Sequence, residues 1–210
     1  MTVRKVLKYG TPSLREKSKE VHKISKKIQA LIEDLYDTMY ATNGVGLAAP
    51  QIGENLRVFV IDVGTDPKTM CPITFINPKI IKKEGAIISN EGCLSFPEAY
   101  TEVRRYKSVK IKALNEKGKP FILEVTDGSL LARAIQHEFD HLDGHLFIDH
   151  CRNRFDANNV LAKYNLPSIQ EEWLVEENEL EEEILTWEKE NPDEVEKLRK
   201  EIEELENGKQ

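Results

Sequence analysis

Long apolar runs are missing from this chain. No stretch approaches the roughly 18 residues needed to cross a bilayer. The N-terminus, MTVRKVLKYG, lacks the apolar core and cleavage site of a secretory signal, so the expected compartment is the cytoplasm. Cysteine is equally scarce: Cys71, Cys93 and Cys151 are odd in number and widely spaced, which argues against a disulfide framework. There is no internal repeat and no Gly/Ser-rich linker, so neither a solenoid nor a string of domains is expected. What is present, 210 residues with 40% hydrophobic and 32% charged side chains, suits one globular domain with a charged surface and room for an appendage.

Charge is unevenly spread. Residues 171–210 hold 17 Asp/Glu and 5 Lys/Arg, a net of −12; since the whole chain sums to −7, residues 1–170 carry +5. A mildly basic body thus joins a strongly acidic tail, and partners respond to such local charge.

Hydrophobic periodicity orders the rest. Ile24, Ile28, Leu31, Ile32, Leu35 and Met39 recur at helical spacing, and Asn43-Gly44 reads as the stop of that helix. The β-branched run Arg57–Val63 predicts a buried strand, and shorter strands are expected near Thr74–Ile76, Lys79–Ile81 and Ala86–Ser89. Ser108–Leu114 and Phe121–Val125 flank NEKGKP as a hairpin. A helix is predicted from about Ser129 to Leu142, with Asp127 or Ser129 as N-cap and Gly144 beyond its end. The fold class is α+β, with small antiparallel or mixed sheets around a central helix bearing histidines. Residues 1–169 are expected to form this body and residues 170–210 a helical extension. In the extension, Leu180, Ile184 and Trp187 precede a restart at Asn191-Pro192 and a stripe of Val195, Leu198, Ile202 and Leu205.

The chemistry-bearing segment is Gln136–Gly144, QHEFDHLDG. It contains H-E-x-x-H. Positions four apart share one helix face, so His137 and His141 can aim at one metal with Glu138 beside them as base. Asp140 and Asp143 read as supporting, capping or solvated groups rather than ligands. Two histidines leave a catalytic metal short of a third protein ligand. His145 follows at the same spacing, but beyond a helix-ending glycine; His22 and His150 have no recommending spacing. Cys93, in NEGCLSFPE, offers a strong thiolate ligand, yet it lies 44 residues from His137 and spacing cannot establish the link.

Three segments, in this order, resemble the peptide deformylases: Gly44-Val45-Gly46-Leu47-Ala48-Ala49-Pro50-Gln51-Ile52-Gly53, Glu91-Gly92-Cys93-Leu94-Ser95, and Gln136-His137-Glu138-Phe139-Asp140-His141-Leu142. The resemblance covers roughly residues 1–165. It implies one divalent metal bound by Cys93, His137 and His141, with Fe²⁺ expected in vivo and Zn²⁺ or Ni²⁺ accepted. It implies Glu138 as general acid/base and Gln51 with the Leu94 backbone N–H as the oxyanion hole. Gly44, Val45, Gly46, Glu91, Arg105, Leu130 and Ala134 are implied as substrate-contacting, with Gly44 and Gly46 on an edge where an extended peptide adds as a strand and Arg105 near the mouth of the site. The implied reaction removes the formyl group from N-formylmethionyl nascent peptides and releases formate. The chain departs from the family where Asp149-His150 stands for the usual Asp-Arg. The partners implied are nascent chains and, transiently, the ribosome, without DNA or membrane; the oligomeric expectation is a monomer or a weak homodimer through the C-terminal helices. Two other readings compete: an H-E-x-x-H endopeptidase, which would need a downstream ligand and a long cleft, and a non-catalytic ribosome-associated module, which would be expected to lose Glu138 or a ligand.

Overall fold

The computed structural model describes residues 2–64, 70–151 and 154–169. Helix α1 (Lys26–Ala41) turns its buried stripe of Ile28, Leu31, Ile32, Leu35 and Met39 toward Leu47, Val58, Val60 and Ile76 of a sheet. Asn43 adopts a left-handed φ of 53°, and the Gly44 N–H returns to the Met39 carbonyl at 2.9 Å, so the helix stops where the Asn-Gly pair predicts.

The sheet runs β1 (Gly46–Ala48), β2 (Val58–Ile61), β3 (Ile73–Cys93), β4 (Phe96–Leu114) and β5 (Pro120–Val125), hydrogen-bonded in that order. Every neighbouring pair is antiparallel. Of the small antiparallel or mixed sheets expected, the described residues form one sheet, and it is antiparallel. Among the described residues the isolated bridge Lys19–Leu56 adds a parallel contact outside it.

The short strands expected between Thr74 and Ser89 are parts of one 21-residue strand, and its 19-residue partner starts at Phe96, well before the expected Ser108. The two form a long hairpin closed by the turn Leu94-Ser95. Register shifts at Ile76/Lys79, Ile80/Lys82 and Gly92/Cys93 break its alternation, which is why the sequence pattern fragments there. Pro78 falls within the first shift, a place where a strand tolerates its missing N–H.

Helix α2 (Leu130–Asp143) packs Ala132, Ala134, Ile135 and Leu142 on the opposite face of the sheet, against Phe59, Ile61, Phe75 and Ile111. Of the two N-caps weighed, Ser129 serves: its side chain accepts from the Ala132 N–H at 3.3 Å. Gly144 ends the helix at φ 78°, and a Cβ there would lie 2.5 Å from the Arg15 carbonyl oxygen, so two independent constraints require glycine. Helix α3 (Arg154–Lys163) brings Ala157 and Leu161 to a third cluster with Phe96, Val103, Phe147 and Ile169. Among the described residues no helix is long and apolar enough to cross a membrane. The helices expected in residues 170–210 lie outside the described residues.

Candidate metal centre

The helical repeat of α2 and the tip of the β3–β4 hairpin meet at one point. Cys93 is the last residue of β3, and His137 and His141 lie one turn apart on α2. One ligand atom from each falls within 4.8 Å of the others, and Cys93 Sγ is 3.3 Å from His141 Nε2. Tetrahedral ligation by one sulfur and two imidazoles places ligand atoms about 3.3–3.6 Å apart, from bond lengths near 2.3 and 2.0–2.1 Å. The Cys93–His141 separation therefore already suits a borderline divalent metal, and His137 completes a set of donors of the right chemistry within 4.8 Å. His145, weighed as an alternative ligand, is exposed and lies 3.9 Å from Asp149 instead.

The buried polar atoms support the same fit. Glu138 Oε2 and His141 Nδ1 have no hydrogen-bond partner among the described residues, although Glu138 is 5% exposed and His141 1%. Such burial is unfavourable without a compensating group. Burial pushes the Glu138 carboxyl up to about 7, against the opposing pull of His137 and Arg105. Burial, followed by the neighbouring His137, holds His141 well below its ordinary value, whereas at His137 burial is outweighed by Cys93 and Glu91, which raise it well above its own. Gly46 is what admits Glu138: a Cβ at that position would sit 2.5 Å from Glu138 Oε1.

Gln51 is oriented rather than merely present. It lies in the short 3-10 turn Ala49–Ile52, where its Oε1 accepts from the Ala48 N–H at 2.8 Å. With the oxygen so engaged, Nε2 turns to Cys93 Sγ at 3.5 Å and Ser95 Oγ at 3.3 Å. Leu94 follows the cysteine in the hairpin turn, and its carbonyl accepts from Lys8 Nζ at 2.8 Å. Nothing in the sequence alone assigns a role to Ser95. Its hydroxyl, fully buried, meets the same amide that faces the cysteine, and only a three-dimensional view makes that visible.

Beneath the ligands runs a buried ionic network. His137 Nδ1 lies 3.1 Å from Glu91 Oε2. Arg105 donates to both Glu91 oxygens, Nε to Oε1 at 3.0 Å and Nη2 to Oε2 at 2.9 Å, and through Nη1 to Asp140 Oδ2 at 2.5 Å. His150 Nε2 approaches the same Asp140 oxygen at 2.9 Å. Burial alone would raise both carboxyls. Arg105, with His137, holds Glu91 down at about 2, and His150 with Arg105 holds Asp140 well below the carboxylate range. Arg105, expected near the mouth of the site, is 4% exposed, and its guanidinium is committed to two buried carboxylates. Glu91, also expected to contact substrate, spends its carboxylate on Arg105 and His137. Gln136 clamps α2 to the hairpin by pairing with both the N–H and the carbonyl of Tyr106, at 2.8 and 2.9 Å. The departure at Asp149-His150 is absorbed locally. Asp149 is bound by Arg15 at 2.5 and 3.0 Å, and His150 joins the Asp140 cluster.

Of the remaining expected site residues, Gly44 lies against Leu94 and Gly46 against Glu138. Gly46 opens β1, an edge strand of the sheet, and Gly44 and Val45 lead into it. A Cβ on Gly44 would meet Leu94 Cδ1 at 2.9 Å, so the loop and the hairpin turn pack closely. Val45 and Leu130 are exposed, while Ala134 is buried on α2.

The chain matches the sequence model of the polypeptide deformylase family over residues 3–156. It is 50% identical over 149 residues to peptide deformylase 1 of Clostridium acetobutylicum, covering 71% of this chain and 95% of that one. Identity to peptide deformylase 1 of Bacillus subtilis is 47% over 147 residues, covering 70% and 89%. Among solved structures, a peptide deformylase from Legionella pneumophila superposes with a TM-score of 0.71 at 43% identity, over 78% of this chain and 96% of that one. One from Synechococcus elongatus in complex with actinonin gives 0.71 at 39% identity, over 77% and 86%.

Proposed function

The chain belongs to the polypeptide deformylase family, and from that premise we propose that Cys93, His137 and His141 hold one divalent metal and that Glu138 is the base of a hydrolytic deformylation. The family removes the N-formyl group from newly made polypeptides, and the enzyme is a hydrolase of that class. The observation that carries the residue assignment is the convergence of a thiol and two imidazoles within 4.8 Å beside a buried carboxyl that has no partner among the described residues.

A divalent ion held there would act as a Lewis acid, lowering the pKa of a bound water toward about 7. Glu138 takes the proton of the attacking water and returns it to the departing amine, so formate and a free N-terminus leave. Gln51 Nε2, aimed by the Ala48 N–H, and the Leu94 backbone N–H donate to the oxyanion of the tetrahedral intermediate. The formylmethionyl peptide runs as a strand along β1, where Gly44 and Gly46 allow close approach and backbone groups can pair. Val45, Leu130 and Ala134 flank its methionine. The mixed sulfur and nitrogen donors suit Fe²⁺, Zn²⁺ or Ni²⁺, with Fe²⁺ as the ion in vivo. Because the substrates are nascent chains, the enzyme works in the cytoplasm in transient contact with ribosomes.

Two outcomes follow for the ligands and the hole. Cys93→Ala is expected to lose stoichiometric metal and activity together, while Cys71→Ala and Cys151→Ala keep both. Metal analysis of anaerobically purified protein, with formate release from a short formyl-Met peptide, reads this directly. A metal-replete, active Cys93→Ala protein would remove the cysteine from the ligand set. Gln51→Leu should keep its metal and lose about 10²–10³ in kcat, the effect of removing one oxyanion donor. An effect confined to KM would instead make Gln51 a residue that positions substrate.

A further inference from the structure

The N-terminal segment takes no part in the chemistry described so far. Leu7, Lys8 and Tyr9 lie outside every helix and strand, yet each reaches the catalytic neighbourhood. The Leu7 N–H donates to the Gln51 carbonyl at 2.7 Å. Lys8 Nζ donates to the Leu94 carbonyl at 2.8 Å. The Tyr9 N–H donates to the Ser95 carbonyl at 2.8 Å. Gln51 and Leu94 supply the two proposed donors of the oxyanion hole, and Ser95 Oγ meets Gln51 Nε2 at 3.3 Å. The segment is anchored independently of these bonds. Val6 packs in the α1 cluster, and the buried Tyr9 ring stacks on Phe96 with centroids 4.6 Å apart.

The hairpin turn needs outside support. Cys93 pairs with Phe96, so Leu94 and Ser95 are the two residues of the turn. The favoured hairpin turns of that length place one or both central residues at positive φ. Neither Leu94 nor Ser95 does so. The register shift at Gly92/Cys93 adds an irregularity on the β3 side. Two rigid peptide planes meet at the Leu94 Cα. The first carries the N–H assigned to the hole, and the second carries the carbonyl that Lys8 holds. Only the φ and ψ of Leu94 separate them, so fixing the second plane restrains the first. We propose that Leu7–Tyr9 is a clamp that sets the oxyanion hole, and that Lys8 is its positioning residue, acting on the reaction through the Leu94 peptide. This rests on the reading of Gln51 and the Leu94 N–H as the oxyanion donors. Two of the three bonds come from backbone N–H groups and do not depend on side-chain identity. Lys8 is the member that substitution can remove, and it is exposed, so its replacement opens no core.

Steady-state formate release from a short formyl-Met peptide, with the metal-loaded full chain, tests this. Lys8→Met is expected to lower kcat about tenfold, the rate equivalent of one hydrogen bond from a charged donor. KM, metal content and Tm should stay at the parent's values. Lys8→Arg keeps a cationic donor on a long stem and should recover most of the loss. Lys5→Met removes the same charge from an exposed position on the same segment and should match the parent. A lysine that only stabilised the fold would lower Tm and act additively with other changes, whereas a clamp on the hole is coupled to it. In a Gln51→Leu background the oxyanion is no longer held between two donors, so Lys8→Met should cost less than about threefold there. Parental kcat in Lys8→Met, alongside a slow Gln51→Leu, would overturn the clamp and leave the hole standing. Parental kcat in Gln51→Leu would remove the hole and the clamp with it. A Lys8→Met effect confined to KM, an equal loss in Lys5→Met, or the same tenfold loss in both backgrounds would also overturn the clamp.

Discussion

Glu138→Gln is expected to give a folded protein that binds its metal and turns over about 10²–10⁴-fold more slowly, the usual contribution of general acid–base catalysis. The three proposed ligands are untouched by the change, so metal content should match the unmodified chain. Shape is nearly conserved as well, which matters because Gly46 leaves little space against the Glu138 carboxyl. The new amide brings a buried donor with no described partner, at about 1–3 kcal/mol, so a thermal melt must accompany the assay. The pH profile separates a base from a structural group. Burial raises the Glu138 carboxyl to about 7 in the chain alone, and a bound cation pulls it back toward acid. Activity should therefore fall as pH drops through that group's pKa, and the glutamine variant should lack this acid limb. Formate release at the unmodified rate from metal-loaded Glu138→Gln would remove the residue from the mechanism.

What the sequence shows of this molecule is mostly local. Helix α2 is legible because its signals are short-range: Ser129 caps it, Gly144 stops it, and His137 and His141 share a face by helical repeat alone. The long hairpin is not legible. Its middle, Lys-Lys-Glu-Gly-Ala, is polar and poor in β-branched residues, and becomes strand through pairing with a partner whose register shifts three times. The third ligand sits between these cases. Nothing in a separation of 48 residues puts Cys93 beside His141; the fold does so by ending β3 over the face of α2. The resemblance to a family indicated that ligand where periodicity could not. Arg105 shows the opposite failure. An arginine is by default exposed, and the burial of this one depends on two carboxylates, 14 and 35 residues away, that only the assembled sheet and helix bring together.

That burial makes Arg105→Leu the substitution with the largest expected effect on stability. Leucine fills much of the same volume but removes the cation between Glu91 and Asp140, two acids well inside the protein. Breaking a buried charge pair from one side typically costs about 3–5 kcal/mol, because the remaining charge is left uncompensated. In a domain of this size that lowers Tm on the order of 10 °C. The pH dependence should change with it. In the unmodified chain Glu91 titrates near 2, below its ordinary 4.5. Its contribution to stability is thus complete above about 4.5 and lost as pH falls toward 2. Without the guanidinium, burial is no longer outweighed and the Glu91 and Asp140 carboxyls rise. The variant should then gain relative stability as pH falls into the acid range, where these groups become neutral. The centre should feel the loss as well, since Glu91 orients His137 through Nδ1, and disturbing such a support lowers metal affinity about 10–100-fold. Arg105→Lys should recover part of the stability but less of the metal affinity, since one ammonium cannot reproduce the forked contacts to both acids. Thermal melts of the three proteins between pH 4 and 8, together with metal titrations, decide the matter. A leucine variant that melts within about 2 °C of the parent, parallel to it at every pH, would show that the network carries no such energy.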